Sequence, residues 1–121
     1  MHPRSLTTLV ITVFATAAFG TACLEVDGSL DPDETAQLVC QRFVECDLGE
    51  NISDQARQEY LADCIDLHRS DYAQIRSQRG DNCLDAHLET ELCFTRQSCE
   101  DWDAHLGCDA ELAHEEDACS W

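Results

Sequence analysis

Nine cysteines and five histidines are the residues of this chain best equipped for chemistry. A thiolate is a nucleophile and a soft metal ligand, and two thiols close a disulfide. The cysteines stand at positions 23, 40, 46, 64, 83, 93, 99, 108 and 119. Four of them fall between Cys83 and Cys108, a stretch that also carries His87 and His105. Their spacing argues against several activities. Cys93-Phe-Thr-Arg-Gln-Ser-Cys99 is not the Cys-x-x-Cys of a redox pair. The serines and histidines form no nucleophile turn, so no catalytic residue and no enzyme is expected. A zinc site takes about four convergent ligands, often thiolates. In an oxidising compartment these cysteines serve better as disulfides, and the reading assigns neither a metal nor another cofactor. His87 and Glu91 are four apart and share a face if their segment is helical, as does His114 with Asp117 nearby. The acidic run Glu111 to Asp117 lacks the Asp-x-Asp-x-Asp-Gly order of a calcium loop, so weak, nonspecific cation binding is expected of it.

The compartment follows from the N-terminus. Met1-His-Pro-Arg4 is a short basic start, Leu6 to Phe19 an uncharged, mostly apolar run, and Gly20-Thr21-Ala22 a small-residue end. This is the three-part pattern of a secretory signal over residues 1–22. The apolar run falls short of the roughly 20 residues that span a bilayer. Behind it stand 99 residues that hold all nine cysteines. A short exported chain so rich in cysteine reads as a disulfide framework. Nine is odd, and Cys23, directly behind the small residues, is the one set apart. Cys40, Cys46, Cys64, Cys83, Cys93, Cys99, Cys108 and Cys119 are then expected to close four bridges and leave no free thiol.

Gly20-Thr21-Ala22-Cys23 resembles a bacterial lipobox, in which small residues precede a cysteine that takes a diacylglyceryl thioether. Gly20 stands where that motif usually has Leu, and Ala22 alone also suits ordinary signal cleavage. Lipidation of Cys23 is the preferred reading, with soluble secretion as the alternative. Leu24 follows, so the Asp that marks inner-membrane retention in some Gram-negative bacteria is absent. Residues 23–31 read as a lipidated N-terminus and acidic tether.

Residues 32–121 read as an all-α, disulfide-stapled bundle of about four helices. Asp31-Pro32-Asp33-Glu34 is a helix start, with Asp31 as cap and Pro32 at the first position. Ala36, Val39, Cys40, Phe43 and Val44 recur at helical spacing, which predicts a helix over 32–47 that Gly49 ends. Ser53-Asp54 opens a helix over 54–79 with Leu61, Cys64, Ile65, His68, Tyr72 and Ile75 inward and Gly80 as its stop. Asn82 caps a third over 83–93, with Leu84, Leu88 and Leu92 on one face. Ser98 opens a fourth over 98–106, with Cys99, Trp102 and Leu106 inward and Gly107 as its stop. Residues 111–118 are expected to add a helical turn or two pinned by Cys119. Ten residues of helix rise about 15 Å, so Cys83 and Cys93 cannot bond each other and bridges must join different helices. In a hairpin turning at 47–53, Cys40 lies level with about residue 60, which slightly favours Cys40 over Cys46 as the partner of Cys64.

All 25 acidic residues lie behind the signal, against Arg42, Arg57, Arg69, Arg76, Arg79 and Arg96 and no lysine, for a net charge of −18. That balance argues against nucleic acid as a partner and against docking on anionic lipid by charge alone. It suits a protein partner with a cationic or polar surface. Arg79-Gly80-Asp81 matches an adhesion tripeptide but reads as one helix end and the next start. Asn51-Ile52-Ser53 is a glycosylation sequon of consequence only in a eukaryotic secretory pathway.

Leu38-Val-Cys40-Gln-Arg-Phe-Val-Glu-Cys46, then Cys64, then Asn82-Cys83-Leu-Asp-Ala86 is similar to the small cysteine-rich lipoproteins of myxobacterium-type bacteria. The signal and Cys23 lead to the expectation of a place in the cell envelope, at the outer membrane or periplasmic face, held to the membrane by an N-terminal lipid; the resemblance adds little, since such proteins are mostly uncharacterised. It implies no activity. The expectation is therefore a non-enzymatic interaction or structural role, with a secreted inhibitor or effector as the alternative.

Overall fold

The computed structural model describes residues 30–120, so the signal and Cys23 lie outside the described residues. Five α-helices and one π-helical turn make up the bundle: α1 Pro32–Phe43, the π turn Val44–Leu48, α2 Asp54–Arg79, α3 Asp81–Thr95, α4 Cys99–Ala104 and α5 Asp109–Cys119. No strand occurs among the described residues.

Local chemistry starts and stops these helices much as the sequence suggests. Asp31 caps α1 by accepting from the backbone N–H of Asp33 at 2.9 Å, with Pro32 in the first turn. Ser53 caps α2 through the N–H of Ala56 at 3.1 Å, and Ser98 caps α4 through that of Asp101 at 3.1 Å. Gly49 and Gly80 take φ of 63° and 90°, values that cost a residue without Cβ little, and each follows a helical segment. Four details differ from expectation. The first helix does not run as one α-helix to residue 47: it widens into the π turn over its last five residues. Asn82 is no cap, because α3 begins at Asp81, two residues before the expected start and directly behind Gly80. Helix α4 stops at Ala104, where His105 takes the left-handed conformation, and Leu106 is exposed rather than inward. The tail is a full helix, α5, of 11 residues.

Helix α1 packs on α2 and α3, α2 on α3, and α5 on α3, while α4 lies against the π turn. Ala36, Tyr72, Leu84 and Leu88 form the buried cluster, with Leu30, Ile65 and Ile75 packed partly buried around it. This is a small core, and the disulfides extend it. Cys40–Cys64 joins α1 to α2, and Cys46–Cys99 joins the π turn to α4. Cys83–Cys119 and Cys93–Cys108 join the two ends of α3 to the two ends of α5. All eight cysteines of the described residues are paired. No helix of the described residues is long and apolar enough to cross a membrane.

Candidate functional site, a carboxylate–imidazole cluster between α2, α3 and α5

Helical spacing brings five polar side chains together at the junction of α2, α3 and α5. His68 and Tyr72 are four apart on the inward face of α2. His87 and Glu91 are four apart on α3, and Glu115 reaches in from α5. Tyr72 is the most enclosed, at 2% exposure, and its ring lies 5.7 Å from that of His68 and 5.8 Å from that of His87. A buried phenol needs a hydrogen-bond partner, and the Tyr72 hydroxyl donates to one oxygen of Glu91. The other Glu91 oxygen faces both imidazoles, His87 Nε2 at 3.4 Å and His68 Nδ1 at 3.6 Å. The second nitrogen of His87, Nδ1, contacts Glu115 Oε1 at 2.7 Å. His87 is thus held between two carboxylates from two helices.

This geometry sets the protonation states. Burial works against the charged imidazole of His87, but the hydrogen bonds and charges of Glu91 and Glu115 outweigh it and push its pKa up to about 9. At neutral pH His87 is an imidazolium with both N–H groups on carboxylates. Burial likewise raises Glu91, but hydrogen bonds from His87 and Tyr72 and the nearby imidazoles more than offset this, so its pKa falls below the usual carboxylate range. Burial and the neighbouring Glu91 carboxylate drive the Tyr72 phenol far upward, so it remains a donor throughout the physiological range. A groove of about 360 Å³ opens beside the cluster, lined by His68, His87 and Glu91 together with Asp71, Gln74 and Gln78 of α2.

The chemistry available here is proton holding, cation ligation and binding of a polar group in the groove. The cluster contains no serine, threonine or cysteine. Elsewhere, two groups of ligand atoms do converge within 4.8 Å, Cys40, Cys64 and His68, and Cys93, Cys108 and Glu111, which the cluster's own donors do not. In both, the sulfurs are bonded to each other and have no thiolate to offer a metal.

Of the site residues read from the sequence, the eight cysteines are all consumed in bridges. His87 and Glu91 share a helix face as expected. His114 turns to Glu89 of α3 at 3.9 Å rather than to Asp117. Glu111 to Asp117 lie within α5, so their carboxylates are distributed around a helix rather than gathered in a loop. Sequence reasoning placed His68 and Tyr72 on the inward stripe but did not join them to His87, and it read Glu115 only as part of an acidic tail. One signal was present: two polar rings at i and i+4 on an otherwise apolar face require polar partners opposite. No protein-family model, curated protein or solved structure matches the chain.

Proposed function

We propose that the protein is an exported, lipid-anchored component of a bacterial cell envelope with a non-enzymatic interaction or structural role. The observation that carries this reading is the cysteine arithmetic. Eight of nine cysteines are bonded within the bundle, and the ninth, Cys23, stands behind a signal-like segment in a lipobox-like setting. A cysteine that the bundle does not use, at the distance from an apolar run at which lipidation occurs, has the anchor as its best use. The resemblance to small myxobacterial lipoproteins supports the same reading.

The partner class follows from charge. A strongly acidic surface attracts cationic surface over long range, and such attraction is screened over about 8–10 Å at ordinary salt. The partner is therefore a protein with cationic or polar surface, bound less strongly as salt rises.

Detergent phase partition tests the anchor. The protein expressed in a Gram-negative host should enter the detergent phase, and Cys23→Ala should move it to the aqueous phase. Partition of the unsubstituted protein into water favours instead the soluble secreted module, the reading that Gly20 in the place of Leu supports. Partners captured from envelope extract at low salt should be lost at high salt, and partners retained equally at both would refute the charge-led account.

A further inference from the structure

Glu91 Oε1 faces His87 Nε2 at 3.4 Å and His68 Nδ1 at 3.6 Å. A tetrahedral zinc with bonds of about 2.0–2.1 Å sets its ligand atoms roughly 3.3 Å apart. Both separations are therefore close to the edges of such a site, and the donor set, two imidazoles and a carboxylate, is one that zinc uses. The surroundings match as well. Ligating histidines hold their other nitrogen on a carboxylate, and His87 Nδ1 does so on Glu115 at 2.7 Å. Ligating carboxylates are themselves hydrogen-bonded, and Tyr72 donates to the second oxygen of Glu91. The groove lies against all three donors, which provides an entry path and room for a water as fourth ligand.

We propose that His68, His87 and Glu91 form a binding site for a divalent transition ion of the zinc type, oriented by Glu115 and Tyr72 and open to the groove. The third edge, between the His68 and His87 nitrogens, is wider than these two, since the only trios of ligand atoms within 4.8 Å of one another among the described residues use disulfide sulfurs. Binding draws the imidazole of His68 toward that of His87, and the His87 Nε2 proton leaves to solvent as the ion takes its place. The ion then links α2 to α3 directly and α5 through Glu115. The site is independent of the lipid anchor and of any protein partner. The sequence pairs His87 with Glu91 on one helix face but does not bring His68 to them, and no metal is expected from the sequence.

Cobalt(II) added to the purified mature protein tests the site. Visible absorption bands of tetrahedral nitrogen–oxygen coordination should appear with one equivalent and be abolished by one equivalent of zinc. His68→Gln, which leaves the Tyr72–Glu91–His87–Glu115 contacts in place, should fold with an unchanged far-ultraviolet spectrum and lose the bands. Glu115→Gln should keep the bands with affinity weakened about 10–100-fold, the usual effect of losing such a supporting partner. Millimolar calcium should not displace cobalt. Absence of the bands, their persistence in folded His68→Gln, or displacement by calcium, which would indicate diffuse binding to an acidic surface, each overturns the proposal.

Discussion

On the α1–α2 side, helices meet through side chains that fill space. Ala36, Val39, Cys40 and Val44 are buried, Ala36 in one cluster with Tyr72, Phe43 stacks on Tyr60 with ring centres 5.5 Å apart, and one bridge, Cys40–Cys64, spans the pair. On the α3–α5 side the balance reverses. Helix α5 buries only Cys119, with Cys108 buried just before its first residue, and two bridges close both ends. Charge differs in parallel. Residues 30–80 carry eleven acids against five arginines, whereas residues 81–120 carry twelve against Arg96 alone. Packing contributes about 25 cal/mol per Å² of apolar surface, and α5 has little to offer. Like charges on neighbouring helices repel. Covalent links hold α5 where burial is too small to do so.

Removing bridges should expose that difference most strongly. Changing Cys83, Cys93, Cys108 and Cys119 together to Ser removes two links, each worth about 2–4 kcal/mol in restricting the unfolded chain. The expected outcome is release of α5, seen as loss of amide exchange protection over Asp109–Cys119, with a large fall in thermal midpoint. Changing Cys40 and Cys64 to Ser should lower the midpoint less and leave α1 and α2 protected. Equal loss of protection on both sides would break the comparison.

Leu88→Ala probes the packed core from α3. Leu88 is fully buried, and such truncations cost about 2–5 kcal/mol. Chemical denaturation should show a loss in that range, shared by α1, α2 and α3 because the cluster joins them. A loss under about 1 kcal/mol would mean the core is not packed as described.

His87 probes the polar link between α3 and α5. Its folded pKa of about 9 lies above the reference value of 6.5, so the folded state favours the proton. The stabilisation is fully present below pH 6.5, declines as pH rises, and is lost above about 9. With a metal chelator present, the midpoint of the unsubstituted protein minus that of His87→Gln should shrink between those values. A difference independent of pH would refute the two-carboxylate clamp. The smallest effect belongs to the start of α1, where Asp31→Ala removes a cap worth about 0.5–2 kcal/mol, measurable as a shift in denaturation midpoint with α5 protection unchanged.

Much of the α1–α2 side was legible in the chain. Asp31-Pro32 and Ser53 cap helices through contacts two or three residues away, and the inward stripe from Leu61 to Ile75 follows from 3.6-residue periodicity. Cys40 with Cys64 was slightly favoured over Cys46 with Cys64 by the rise of two antiparallel helices. The same arithmetic would have paired α3 with α5: Cys83 and Cys93 are ten apart, Cys108 and Cys119 eleven, and antiparallel helices bring both pairs into reach together. The weak apolar pattern hides this, because residues 111–118 read as a helical turn or two rather than as a full helix. Helix α4 was overextended for the opposite reason, since Trp102 and Leu106 look like an inward pair until His105 turns the chain.

The sequence by itself determined an all-α, bridge-dependent chain of strongly acidic character, because capping, helical periodicity, charge and cysteine parity are local or additive properties. Only the tertiary structure decided which cysteines meet across the bundle and that His68, Tyr72, His87, Glu91 and Glu115 form one cluster. Those residues come from three helices, spread over 48 positions of sequence from His68 to Glu115. Their contacts depend on the rotation of each helix about its own axis and on the depth at which α5 is pinned; two disulfides at opposite ends of α3 fix α5, and Cys40–Cys64 ties α2 to α1.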